Sequence, residues 1–206
     1  MAWLTPQKRN GRQVQRMSTE QQLRSESSDT STGGYDPTAK TLHWLVAALV
    51  LVQFIIAFTM PAIRRDTVPG TLINLHLSFG ALILAVVLIR ALWRRAHPVA
   101  PAVDSTPAWQ QAAARAVHLL LYVLLLVLPL LGWAAASARD WTIRLFGMVT
   151  LPHLVPANAG IGFFAGDAHV VLSWVLLALI GLHVASGFYH YLVMRDRVLQ
   201  RMLPGG

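Results

Sequence analysis

The chain has 206 residues, 55% of them apolar and only 13% charged, with a formal net charge of +8 and no cysteine. A soluble domain carries about a quarter charged residues, so this composition points to a membrane protein, one domain or one domain with a tail. The missing cysteines exclude disulfides, iron–sulfur clusters, thiolate-ligated haem, covalent c-type haem and cysteine nucleophiles. The basic residues flank apolar spans and do not interleave with aromatics, which argues against nucleic-acid binding.

Residues 1–38 are rich in Gln, Ser, Thr and basic side chains and read as a disordered tail. The domain is expected over 39–206. No apolar stretch with a small-residue cleavage site marks a secretory signal, and Met17 is a plausible second start. Span one runs from about Thr41 to Met60, closed by Pro61, and span two from about Leu72 to Trp93. Span three runs from about Ala112 to Ala136, with a mild kink expected at Pro129. Span four runs from Ala168 to Leu192. Each holds roughly 20 mostly apolar residues, enough for ~30 Å of hydrocarbon, and lipid forces each to be a helix. The expected fold is an all-α membrane protein, a bundle of four transmembrane helices.

Orientation follows from the basic flanks. Lys8, Arg9, Arg12, Arg16, Arg24 and Lys40 precede span one, and Arg90, Arg94, Arg95 and Arg115 border the link between spans two and three. Arg195, Arg197 and Arg201 follow span four, whereas the other two loops hold only Arg64, Arg65, Arg139 and Arg144. This bias sets both termini in the cytoplasm.

With that topology His76 and His169 fall near the outer ends of spans two and four. His43, His118, His183 and His190 fall toward the inner side, and His97 and His153 belong to loops. His169 and His183 lie within roughly 40° of each other around one helix, ~21 Å apart along its axis. Ionisable residues in a membrane are costly and by default functional. A bis-histidine haem in each layer accounts for the pattern, because ligands on facing helices converge in a bundle core. All four inner histidines remain candidates on depth alone. The plainer alternative is that each histidine hydrogen-bonds to a neighbouring helix. Zinc, which takes three or four ligands, is disfavoured at the outer layer, where only Asp167 lies near the pair. Gly80, Gly132, Gly181 and Gly187 are candidates to admit a porphyrin edge, or to pack helices. Met60, Met148 and Met194 lie outside the paired layers and are set aside as ligands.

The stretches LHWLVA, NLHLSFG, RAVHLLLYVLLLVLPLLGW, SARDWTIRLFGMVTLP and GLHVASGFYHYLVMRD resemble the bacterial cytochrome b561 family, four-helix dihaem proteins of the inner membrane. The resemblance runs from roughly Asp36 to the C-terminus and favours the branch containing superoxide oxidase. The long tail before Asp36 departs from the family's short N-terminus. The resemblance implies two b-type haems, the outer held by His76 and His169 and the inner by His43 and His183. His118 and His190 match family histidines that are not iron ligands. Contact with a haem propionate or proton delivery to quinone is the implied role, a boundary histidine meeting headgroups the plainer one. Arg115 and Arg195 are candidates to pair propionate carboxylates, or else topogenic charges.

For that branch the implied activity is superoxide:ubiquinone oxidoreductase. Superoxide arrives outside and leaves as oxygen, and ubiquinone is reduced with protons from the cytoplasm. Arg139 and Arg144 flank Trp141 in the outer loop, and a basic patch there, with Arg64 and Arg65, would steer a small anion. Binding of lipid phosphates is the alternative. The resemblance sets Ser137 at the same mouth. Trp44, Trp93, Trp133, Trp141 and Tyr191 read as aromatic belts, with Trp44 and Tyr191 also candidate walls of a quinone site. The competing function is a cytochrome b anchor subunit passing electrons between a periplasmic dehydrogenase or hydrogenase and quinone, with that periplasmic protein as partner. A haem- or metal-binding membrane protein without turnover is the third reading. Short outer loops favour the self-sufficient enzyme.

Overall fold

The structure is a computed structural model that describes residues 36–64, 66–98, 107–195 and 199–203. The expected tail up to residue 35, Arg65 and Arg197 lie outside the described residues. From Tyr35 onward the chain forms one compact unit.

Among the described residues four long helices follow one another. Helix α1 spans Pro37–Thr59, α2 Thr71–Ala96, α3 Ala108–Ala138 and α4 Gly160–Tyr189. Each is long and apolar enough to cross a membrane. Local chemistry sets their ends. Asp36 caps α1, its carboxylate accepting from the Thr38 N–H, and Pro37 opens the first turn. Pro61 follows the last turn of α1 and cannot continue it. Arg94 and Arg95 close α2, where cations meet the negative end of the helix dipole. Pro129 sits inside α3. Helix α4 widens into a π-helical turn, His190–Met194, and stops at Arg195 in the left-handed region (φ 51°).

Helix α1 packs on α2, α2 on α3 and α3 on α4, while α4 and α1 are not tightly packed side by side. Two clusters fill the interior along this row: Val46, Leu49, Val50, Ile83, Val86 and Val87 between α1 and α2, and Leu124, Leu128 and Leu176 between α3 and α4. Apolar side chains also cover the outside. Leu51, Phe58, Leu92, Leu119, Val171 and Leu192 are all more than 60% exposed, which lipid tolerates and water does not.

The α3–α4 crossing is the tightest contact. Gly162 and Gly166 of α4 face Ala138 and Ala135 of α3. A Cβ on Gly162 would overlap the Ala138 Cβ and come within 2.9 Å of the Ala134 carbonyl oxygen. Small residues let the backbones approach this closely.

Between α3 and α4 the chain adds what the helical reading did not anticipate, a short antiparallel ladder of β1, Arg144–Leu145, and β2, Val149–Thr150. The regular elements among the described residues are otherwise all helical. Its turn passes through positive φ at Phe146 (47°) and Gly147 (76°). Two buried serines pin this loop to the bundle. The Ser78 hydroxyl donates to Asn74 O (2.8 Å) and accepts from the Phe146 N–H (3.0 Å). The Ser137 hydroxyl donates to Trp133 O (2.8 Å) and accepts from the Leu154 N–H (3.0 Å). The Trp133 indole N–H adds a bond to Pro152 O (2.9 Å), and the Asn158 N–H one to Ala138 O (2.8 Å).

Replacing Gly162 by alanine should overpack the crossing, at a cost of about 1–3 kcal/mol. A lower melting midpoint in detergent is therefore expected for Gly162→Ala. Gly181→Ala, whose new Cβ meets nothing within 4 Å, should melt with the wild type. Identical midpoints for all three proteins would refute the close crossing.

Candidate functional site

Between the helices, at the end carrying the ladder, lies an apolar cavity of about 520 Å³, a size typical of cofactor sites. His76 of α2 and His169 of α4 line it, with Gln53, Gly80, Gly132 and Trp174. Ile143, Leu145 and Leu151 of the pinned loop form its roof. The two imidazole centroids are 6.0 Å apart.

The His169 ring is oriented by one hydrogen bond, Nδ1 to the Leu128 carbonyl at 2.9 Å. A carbonyl only accepts, so Nδ1 carries the proton and Nε2 keeps its lone pair. This is the arrangement of a metal-ligating histidine braced from behind. The bond depends on Gly132, because a Cβ there would sit 3.3 Å from His169 Cε1. On the facing side Gln53 Nε2 donates to the His76 backbone carbonyl (2.9 Å). His76 Nδ1 and Gln53 Oε1 are buried with no hydrogen-bond partner. An unsatisfied buried group costs roughly 1–3 kcal/mol. Two of them in an apolar cavity suit a site whose polar atoms exist for a guest. An imidazole pair, a glycine-lined wall and an apolar enclosure together fit a planar, metal-centred macrocycle such as haem.

At the opposite end, near the start of α1 and the end of α4, His43 of α1 and His183 of α4 have centroids 6.2 Å apart. His118 of α3 approaches His183 more closely, at 5.1 Å. Depth left four inner candidates, and three of them gather here. The fourth, His190, opens the π-helical turn against Tyr189 (6.2 Å). His97 stacks on Trp93 outside the cluster (4.2 Å), and His153 lies 3.7 Å from Asp140 in the pinned loop. Met60 lines the cavity wall of the first pair. Among the described residues no group of three or more His, Cys, Asp or Glu side chains is placed to hold a metal ion.

The residues expected at a superoxide mouth fall in different environments. Ser137 is 0% exposed, and both functions of its hydroxyl serve the loop, so it lines no surface. A serine one turn after Trp133 back-bonds to its own helix, and its lone pair then holds Leu154. Arg139 also turns inward. Its guanidinium lies over Trp141 (5.7 Å to the centroid) and Phe163 (5.3 Å), and Nη1 donates to Ala135 O at 3.0 Å. Arg144 and Arg64 are exposed.

Arg115, a candidate for the inner site, is exposed on α3. The arginine that reaches the interior is Arg90, which the sequence reading counted only as a topogenic charge. Its Nε donates to the Tyr122 hydroxyl (3.0 Å) and its Nη1 to Ala39 O (2.9 Å). The available signal was its position inside span two, since a charge within a span is expensive. Trp44 donates its indole N–H to Met202 O (2.8 Å), tying α1 to the C-terminal turn. Tyr191 lines a small cleft with Arg195 and Gln200.

The chain was compared with known proteins. The family profile described as Prokaryotic cytochrome b561 matches residues 34–205. The chain is 30% identical over 170 residues to "Cytochrome b561 homolog 2" of Escherichia coli (strain K12), covering 82% of this chain and 90% of that protein. It is 33% identical over 180 residues to "Cytochrome b562" of Cereibacter sphaeroides, covering 84% and 98%. It is 28% identical over 163 residues to "Probable superoxide oxidase CybB" of Yersinia pestis, covering 79% and 92%. With four membrane-length helices and an imidazole pair in an apolar cavity, the chain belongs to the prokaryotic cytochrome b561 family, bacterial membrane redox proteins that bind b-type haem and transfer electrons.

Proposed function

We propose that this protein is a dihaem b cytochrome of the bacterial inner membrane, with both termini in the cytoplasm, that oxidises superoxide at the periplasmic face and reduces ubiquinone at the cytoplasmic face. The observation that carries this reading is the pair of opposed histidine sets at the two ends of one helix. His76 meets His169 near the start of α4, and His43 meets His183 near its end. When bound, haem supplies a reversible one-electron iron couple at each layer.

Each residue has a task in this scheme. His76 and His169 hold the outer group, with Leu128 O and Gly132 fixing the His169 ring. His43 and His183 hold the inner one. The serine-pinned loop roofs the outer cavity with Ile143, Leu145 and Leu151 and keeps bulk water off it. Exposed Arg144 supplies positive charge for an incoming anion, and Arg139 contributes through its stacked edge. His118, His190 and Tyr191 at the cytoplasmic end are the proton-exchanging groups for the quinone. Two superoxide anions yield two oxygen molecules and two electrons, which with two protons convert one ubiquinone to ubiquinol. The relative named a probable superoxide oxidase supports this choice of donor.

A second reading is an electron-transfer anchor for a periplasmic dehydrogenase or hydrogenase. It is favoured by the apolar tip of the loop, where Met148 is 81% and Val149 57% exposed, a surface suited to a protein partner.

Two tests follow. Pyridine haemochrome assay of the purified protein should give two haems per chain, falling to one in either His76→Ala or His183→Ala. One haem in the wild type would end the two-site scheme. Mixing the oxidised protein with an enzymatic superoxide source should reduce its haem, and superoxide dismutase should abolish the reduction. Arg144→Glu should slow that reduction by roughly tenfold at low salt, with the difference shrinking as ionic strength rises. Haem that stays oxidised under superoxide yet reduces with dithionite leaves the anchor reading standing.

A further inference from the structure

We propose that Arg90 is a cofactor-binding residue, the fixed positive charge that pairs the acidic edge of a porphyrin held by His43 and His183. The proposal rests on the two-site reading above. It assigns to α2, which supplies no histidine to that layer, a direct role there.

Arg90 lies inside α2, within the membrane-length segment, and is only partly exposed. Its two described bonds both end on neutral oxygens, the Tyr122 hydroxyl and the Ala39 carbonyl. Those partners fix where the charge sits. Ala39 is one helical turn before His43 on α1, and Tyr122 one turn after His118 on α3, so both anchors of the guanidinium belong to helices that carry these histidines.

A guanidinium has five N–H donors, and two are accounted for. Among the described residues it makes no ion pair with a carboxylate. Among the described residues Asp36 is the one acid at this end of the bundle. Its carboxylate caps α1 and accepts the Trp93 indole N–H at 2.7 Å. An arginine within a membrane-length segment and without a described carboxylate partner is expensive. The missing partner is an anion brought by the ligand. Haem carries two propionate carboxylates, and a planar guanidinium pairs a carboxylate in two parallel bonds. A lipid phosphate offers the same chemistry, so the test separates the two sources.

The test uses the full-length purified protein, haem content per chain and spectroelectrochemical titration of both midpoint potentials. The inner potential is the one absent from His183→Ala. Arg90→Met keeps length and removes charge, and it should lower the inner potential while leaving the outer one in place. Arg90→Lys keeps the charge and should hold both potentials and two haems. Two haems with both potentials unmoved in Arg90→Met would overturn the proposal and leave lipid phosphate as the partner. Where Arg90→Met yields no folded protein, Arg90→Lys decides: an inner potential that falls with the charge still present overturns it. A wild type with haem only at His76 and His169 ends the two-site reading, and this proposal with it.

Discussion

Two sides of the bundle are built to opposite rules. Across α3 and α4 the backbones lie as close as glycine and alanine permit, with Gly162 against Ala138 and Gly166 against Ala135. Across α4 and α1 the helices stand apart, and aromatic rings bridge the gap instead: Phe58 reaches Trp174 at 5.9 Å and His43 reaches His183 at 6.2 Å. In lipid there is little hydrophobic drive between helices, so close packing on one side is what allows space on the other. The rigid α3–α4 pair carries His169 at a fixed height and azimuth. Only from that position can its Nδ1 reach Leu128 O past the bare face of Gly132.

Polar atoms inside the bundle fall into two groups. Ser78 and Ser137 are fully committed, each donating within its own helix and receiving a loop N–H. They hold the roof. His76 Nδ1, Gln53 Oε1 and the Arg90 charge are not committed in this way. Buried polar groups are normally satisfied. Of the buried atoms without a partner, His76 Nδ1 and Gln53 Oε1 face the cavity, whereas Gln110 Oε1 and Arg139 Nε lie elsewhere on α3 and at its end; the serine hydroxyls that anchor the loop are complete.

Much of this was readable from the chain. Four apolar runs gave four helices because lipid leaves the backbone no other choice. Helix α4 starts at Gly160, well before the expected Ala168. The segment GIGFFAGD carries glycine and aspartate that dilute its hydropathy, yet its small residues are what seat it on α3. The ladder was invisible because two-residue strands leave no alternation to detect. Depth alone selected His76 with His169. It left four inner candidates because depth is one coordinate and a ring contact needs the azimuth as well. The same gap explains the arginines. Arg90 and Arg115 both border the link after span two, and only helix rotation tells that one turns inward and the other outward. That both functions of the Ser137 hydroxyl are used by backbone could not be seen in the sequence.

The indole bond from Trp44 to Met202 O joins residues 158 positions apart, beside a lysine contact from Lys40 to Leu203 O at 3.4 Å. Helix α1 is therefore held by a turn that follows α4 in the sequence. Each histidine layer takes one member from α4 and one from the α1–α2 pair. Neither layer is whole until α4 has joined that pair, and the bond from Trp44 to Met202 O closes the circuit on the side where α4 and α1 stand apart.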